Sequence, residues 1–209
     1  MQLSLDRRSF MIAAGGGTLM PGAARAQFAN GYIWLNEPAS WSQSGRTLTM
    51  RAEAKTDFWR KTFFGYITDN GHLLGRRVEG DFVATVNVSG KYAAQYDQAG
   101  LMVRLDRTCW MKCGVEFVDN VPNISSVFTR DYSDWAGIPR DAQIESLWIR
   151  VARKGSAVTF SFSADGRAYK EVRQGYLTDV PALTVGVMAA APEGTGFDAS
   201  FSGFEIVRA

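Results

Sequence analysis

Histidine is almost missing from this chain: His72 is the only one in 209 residues. The two cysteines, Cys109 and Cys113, are its only thiols, so a Cys/His zinc centre cannot be completed. Basic runs are also missing. Lys and Arg total 23 against 21 Asp and Glu, a net charge of +2, which removes nucleic acid as an expected partner. No apolar run is long enough for a bilayer-spanning helix. There is no Gly-x-Ser-x-Gly elbow, no P-loop and no dinucleotide fingerprint, so serine-hydrolase and nucleotide chemistries are not expected. A helix of four turns is missing from residues 27–209, and without crossover helices a parallel α/β fold is excluded. Acidic loops occur without a recognisable calcium spacing. No cofactor and no metal are expected.

The chain does have apolar residues (46%) and aromatics (12%, with 6 Trp and 13 Phe). That is enough for one full core in a single domain. At the N-terminus, Asp6-Arg7-Arg8-Ser9-Phe10-Met11 is a twin-arginine pattern. The apolar, glycine-rich stretch Met11 to Met20 follows, and Ala24-Arg25-Ala26 forms an A-x-A cleavage site before Gln27. Residues 1–26 therefore read as a twin-arginine signal peptide, and 27–209 as a domain exported to the periplasm or beyond.

Short alternating runs fill the rest, punctuated by Gly, Asn, Asp and Pro. Strands are predicted at Tyr32–Leu35, Thr47–Ala52, Asp81–Val88, Gly100–Leu105, Cys109–Val118, Ser125–Arg130, Ser146–Ala152, Ala157–Ser163, Leu183–Ala189 and Ala199–Val207. Lys154-Gly155 and Asp165-Gly166 mark turns. This pattern predicts an all-β, antiparallel two-sheet jelly-roll sandwich. On one strand, Cys109 and Cys113 would lie roughly 13 Å apart at about 3.3 Å per residue. A disulfide needs less than about 7 Å, so two free thiols are expected, with Cys113 buried. His72, beside Asn70-Gly71, reads as an exposed loop residue.

The most informative strand is Cys109–Val118. Side chains alternate between faces, so Met111, Cys113, Val115 and Phe117 form a core face, while Trp110, Lys112, Gly114 and Glu116 form the other. The same logic sets Met102 and Arg104 opposite Leu101, Val103 and Leu105, and sets Trp148 and Arg150 opposite Leu147, Ile149 and Val151. If these strands are neighbours, their polar-aromatic faces merge into one groove. Aromatic rings stack on sugar faces, and charged groups bond hydroxyls.

Several segments, in order, resemble one family. They are Asp57-Phe58-Trp59, Gly80-Asp81-Phe82, Tyr96-Asp97-Gln98-Ala99-Gly100-Leu101-Met102, Trp110-Met111-Lys112, Gly114-Val115-Glu116, Thr129-Arg130, Ser133-Asp134-Trp135, Trp148-Ile149-Arg150-Val151 and Ser163-Ala164-Asp165-Gly166. The family is a domain of unknown function that carries the label "regulation of enolase protein". The resemblance spans roughly Trp34 to Val207 and implies a concanavalin A-like lectin/glucanase jelly roll.

The expected activity is therefore binding of a carbohydrate or other polyhydroxylated ligand in a concave groove. Trp110 and Trp148 would wall the groove, and Arg104, Lys112, Glu116 and Arg150 would fix polar groups. Three bases to one acid would tolerate an anionic sugar. Asp97 and Gln98 would reach the rim, although Asp97 equally suits a turn cap. Trp59, and Asp134 with Trp135 in an expected loop, are further candidates. The alternatives are a glycoside hydrolase or lyase using Glu116 with a loop carboxylate, and a protein-interaction module. No second acid shares the strand face with Glu116. Lys112 beside it is expected to lower its pKa, which favours binding over general-acid catalysis. Oligomeric state is open.

Overall fold

A computed structural model describes residues 31–140 and 144–209. The proposed signal segment lies outside the described residues. Sixteen strands follow in chain order: β1 (Tyr32–Leu35), β2 (Trp41–Ser44), β3 (Thr47–Ala52), β4 (Phe58–Arg60), β5 (Ile67–Asp69), β6 (His72–Glu79), β7 (Phe82–Gly90), β8 (Gln98–Arg104), β9 (Cys109–Val118), β10 (Val121–Arg130), β11 (Tyr132–Pro139), β12 (Leu147–Lys154), β13 (Ala157–Ser163), β14 (Lys170–Tyr176), β15 (Ala182–Ala190) and β16 (Phe197–Arg208). The described residues contain no helix, and the strand pairings are antiparallel.

Two seven-stranded sheets make the sandwich. The first runs β1-β6-β15-β8-β9-β10-β11, and the second runs β14-β13-β12-β7-β16-β3-β2. The alternating apolar residues of both sheets meet between them: Leu101, Val103, Met111, Cys113 and Val115 from the first, and Val86, Ile149, Val151, Phe160 and Phe201 from the second. Period-2 patterning thus becomes a dry core on one face of each sheet. The β9–β10 connection is a two-residue loop, with Asp119 and Asn120 at φ 51° and 64° between the paired Val118 and Val121. That geometry matches the right-handed twist of the flanking strands.

The outer face of the first sheet is not bare. The small hairpin β4–β5 lies over it and makes a second buried cluster of Phe58, Trp59, Leu73, Met102, Trp110, Val127, Met188 and Ala190. Arg104 fastens this hairpin with a forked pair of bonds, both 2.8 Å, to the Asp69 carboxylate. Such bidentate geometry is the strongest form of the Arg–carboxylate contact. On the other side, the Arg60 amide donates to Ser133 Oγ at 2.9 Å and its guanidinium reaches Asp131.

His72 is buried on β6 and not exposed in a loop. Its Nε2 accepts from the Glu53 amide at 3.1 Å and its Nδ1 lies 2.6 Å from the Asn36 carbonyl. The ring thus joins the segment after β1 to the end of β3. Cys109 and Cys113 are free thiols, Cys113 buried.

Candidate functional site

Register places four rows of side chains on the outer face of the first sheet. Gln98, Glu116, Asn123 and Pro139 form one row; Gly100, Gly114, Ser125 and Gly137 the next; then Met102, Lys112, Val127 and Trp135; and Arg104, Trp110, Thr129 and Ser133. The glycine-rich row lets the backbones meet closely. A Cβ on Gly114 would lie 2.1 Å from the Ala99 carbonyl oxygen, and one on Gly100 would lie 1.9 Å from that of Cys113. Beside the β4–β5 hairpin this face opens into a cavity of about 620 Å³, within the usual range for small-ligand sites.

The floor is polar and buried. Asp57, Lys112, Glu116 and Gln98 are 7%, 4%, 5% and 5% exposed, and all line the cavity. Asp57 Oδ1 accepts from the Phe58 amide at 2.7 Å, from Gln98 Nε2 at 3.2 Å and from Lys112 Nζ at 3.2 Å. Lys112 also donates to the Phe58 carbonyl at 2.7 Å. Glu116 Oε2 accepts from the Trp135 indole at 2.5 Å. Burial raises the Glu116 pKa; Lys112 and the bonds from Trp135 and Ser125 oppose the rise, and the Asp57 charge adds to it. The expected lowering by Lys112 is thus overridden by desolvation, the larger effect for a fully buried carboxyl group.

The walls are aromatic. Trp59, Phe63, Phe64, Tyr66, Tyr96 and Trp135 line the opening, and Phe64 stacks on Tyr66 with ring centroids 5.5 Å apart. The loop between β4 and β5 is held in an unusual backbone. Lys61 and Phe63 have φ of 59° and 62°. Each is the middle residue of a three-residue turn closed at 2.7 Å, Thr62 N to Arg60 O and Phe64 N to Thr62 O. Such positive-φ γ-turns are rare and strained. They leave Phe63 92% exposed at the cavity mouth. Observed strain of this kind clusters at functional sites.

The structure brings Trp59, Gln98, Lys112, Glu116, Asp134 and Trp135 to one cavity. The other expected site residues are elsewhere. Trp110 is fully buried, packed edge-on beneath Phe58 at 6.2 Å, because the hairpin covers it. Arg104 is committed to Asp69 under the same hairpin. Trp148 and Arg150 stand on β12, which pairs with β7 and β13 in the second sheet, so they cannot share this face. There, Trp148 packs on Gly166 and Gly203, and Arg150 lies 3.5 Å from the Tyr169 ring centroid. Asp97 takes the turn-cap role, accepting from the Ala93 and Ala94 amides at 3.0 and 2.9 Å. Asp134 and Trp135 sit on strand β11 and not in a loop; Asp134 also bonds Arg173 at 2.8 Å.

Phe63, Phe64, Tyr66, Tyr96 and Tyr132 were missed as cavity residues, and Asp57 entered only as the neighbour of Trp59 in Asp57-Phe58-Trp59. Asp57 and Tyr96 stood within the segments that carried the family resemblance; Tyr66 gave no signal. Among the described residues no cluster of three or more His, Cys, Asp or Glu could hold a metal ion, and no helix is long and apolar enough to cross a membrane.

Comparison with known proteins agrees with the sandwich fold. Residues 34–209 match a family described as "Protein of unknown function (DUF1349)". The chain belongs to that family. A family relative, "Regulation of enolase protein 1" of Saccharomyces cerevisiae, is 38% identical over 169 residues, covering 81% of this chain and 85% of the relative. A crystal structure of a functionally unknown protein from the same yeast superposes with a TM-score of 0.83 at 35% identity, covering 87% of this chain and 98% of that one. A mutant of the GH43 protein BlXynB of Bacillus licheniformis matches with a TM-score of 0.69 at 16% identity, over 85% of this chain but 37% of that one. That last likeness is one of fold.

The yeast relatives overturn the expected location. They are eukaryotic proteins, which do not use the bacterial twin-arginine route, so assignment to the periplasm or the exterior by that route is corrected.

Proposed function

We propose that this chain binds a carbohydrate or similar polyhydroxylated ligand in the cavity on the outer face of the first sheet, within a concanavalin A-like jelly roll. One observation carries the reading: a ring of aromatic side chains stands over a buried floor of Asp57, Gln98, Lys112 and Glu116. Rings offer flat apolar surface to a sugar's C–H face, and the floor offers both donors and acceptors to its hydroxyls. The sandwich likeness to a GH43 protein is consistent with a carbohydrate-related role. Glycan-array screening of the full chain, followed by calorimetry on the hits, tests the reading. Saturable one-to-one binding of a glycan is expected, and failure of every neutral, acidic and amino glycan would refute it.

A second reading, glycoside hydrolysis or elimination, rests on a different observation. Asp57 lines the same cavity as Glu116, and burial favours the protonated Glu116 that a general acid requires. Reducing-end release from any bound glycan, lost in both Glu116→Gln and Asp57→Asn, would establish it; binding without turnover would exclude it. A protein-interaction role has less support, because the exposed rings Phe63, Phe64 and Tyr66 continue the cavity rim.

A further inference from the structure

The charge of the cavity narrows the ligand class. Three carboxylates line it, those of Asp57, Glu116 and Asp134, and one ammonium, that of Lys112. The ammonium is already engaged by Asp57 and the Phe58 carbonyl. Arg104, another cation on this face, is neutralised by Asp69 beneath the hairpin, and Arg77 stands two strands further out, across Thr184. Arg150 is on the other sheet. The Asp134 carboxylate meets Arg173, which leaves Glu116, bonded by a neutral indole, as the acid without a cation in direct contact; burial raises its pKa, and an ammonium brought beside it by a ligand would favour its charged form. The phenol of Tyr66 registers the same field. Its pKa is pushed up to about 12, first by burial and then by Asp57, Tyr96, Glu193 and Glu116.

The walls act in the same direction. The faces of Trp59, Phe64, Tyr66, Tyr96 and Trp135 carry the negative side of the ring quadrupole, which attracts ammonium groups. A carboxylate on a ligand would meet Glu116 and Asp57, and the lining residues hold no spare cation to receive it; Lys61, at the mouth, lies over the Tyr132 ring at 4.5 Å. The anionic sugar suggested by the count of bases in the sequence therefore fits poorly.

We infer that the cavity selects polyhydroxylated ligands bearing a protonated amine, the chemistry of an unacetylated amino sugar, with the ammonium received by Glu116 and the surrounding rings. The inference rests on the carbohydrate reading above and adds the sign of the ligand's charge.

Three oligosaccharides of equal length and linkage separate the two ideas: oligomers of glucose, glucosamine and glucuronate, titrated calorimetrically into the full chain near neutral pH, where a large share of the amines is protonated and Glu116 is less protonated than in acid. The glucosamine oligomer is expected to bind at least ~10-fold more tightly than the glucose oligomer, the scale of one desolvated ammonium–aromatic and carboxylate contact. The glucuronate oligomer is expected to bind weakest. Glu116→Gln should bring the glucosamine-to-glucose ratio to within about 3-fold of unity, and Glu116→Asp should retain part of it. Thermal melting confirms that both variants are folded. Equal or tighter binding of glucose or glucuronate overturns the charge inference and leaves the carbohydrate reading standing. A ratio unchanged in Glu116→Gln overturns the role given to Glu116. Absence of binding by all three oligomers overturns the charge inference and counts against the carbohydrate reading, which the wider array then decides.

Discussion

Replacing Lys112 by Met should destabilise the protein specifically because Asp57 is left behind. The two side chains are 5% and 9% exposed and meet at 3.2 Å. Removing one member of a buried ion pair costs about 3–5 kcal/mol, mostly because the remaining charge is stranded. Asp57 Oδ1 keeps two donors, the Phe58 amide and Gln98, so the lower end, about 3 kcal/mol, is expected. For a domain of this size, at about 2–4 °C per kcal/mol, that is a fall in Tm of about 6–12 °C. Part of the loss comes from the Lys112 bond to the Phe58 carbonyl, and a double-mutant cycle separates the two. In an Asp57→Asn background, Lys112→Met should cost only the hydrogen bond to a charged donor, about 1.5 kcal/mol. The coupling energy is then about 1.5 kcal/mol or more. The assay is urea unfolding of the four proteins, read by tryptophan fluorescence. Equal costs of Lys112→Met in both backgrounds would show that the pair does not hold the cavity floor.

Three further outcomes follow from the same structure. Burial raises the Glu116 pKa above its ordinary value of 4.5, so the native state holds this proton more tightly than the unfolded chain. The contribution is fully present below 4.5 and is lost as pH rises toward the higher native value. Glu116→Gln should therefore match wild type in acid and gain relative stability at neutral pH, measured as the difference in unfolding midpoint against pH; a gain confined to acid would contradict this. Gly114→Ala would drive a methyl group into the Ala99 carbonyl, costing about 1–3 kcal/mol; an unchanged urea midpoint would contradict it. Burial raises the pKa of both thiols, Cys113 fully buried and Cys109 only partly. A chromogenic disulfide should label Cys109 slowly in the native protein and Cys113 only after denaturation.

Much of the architecture is written as alternation. Tyr32–Leu35, Thr47–Ala52, Cys109–Val118 and Ala157–Ser163 form strands with the expected ends, and the two faces of β9 separate as their periodicity demands. Six strands escaped notice, β2 and β11 among them, and the other four lack that signal. β6 is buried on both faces over its first half, β14 is exposed on most of its length, and β4 and β5 have three residues each. Alternation also says which residues oppose the core but not which sheet they join. Trp148 and Arg150 oppose Ile149 correctly, yet β12 takes its hydrogen bonds from β7 and β13. Trp110 was placed on the right face, but a local pattern cannot reveal that Phe58, far away in sequence, covers it. Lys112 was read as a ligand-binding ammonium beside Glu116 because its partner, Asp57, arrives by the same long-range packing.

The claim that the cavity on the first sheet is the ligand site is tested most directly by two tryptophans. Trp135 is part-exposed on its rim, whereas Trp148 stands on the second sheet. With the tightest glycan from the array, calorimetry on Trp135→Ala should show at least ~10-fold weaker binding, the scale of one lost aromatic platform and its area. Trp148→Ala should bind as the wild type does, each variant first shown to be folded by its melting curve. Loss of binding in Trp148→Ala with full binding in Trp135→Ala would place the site on the other sheet and contradict the account.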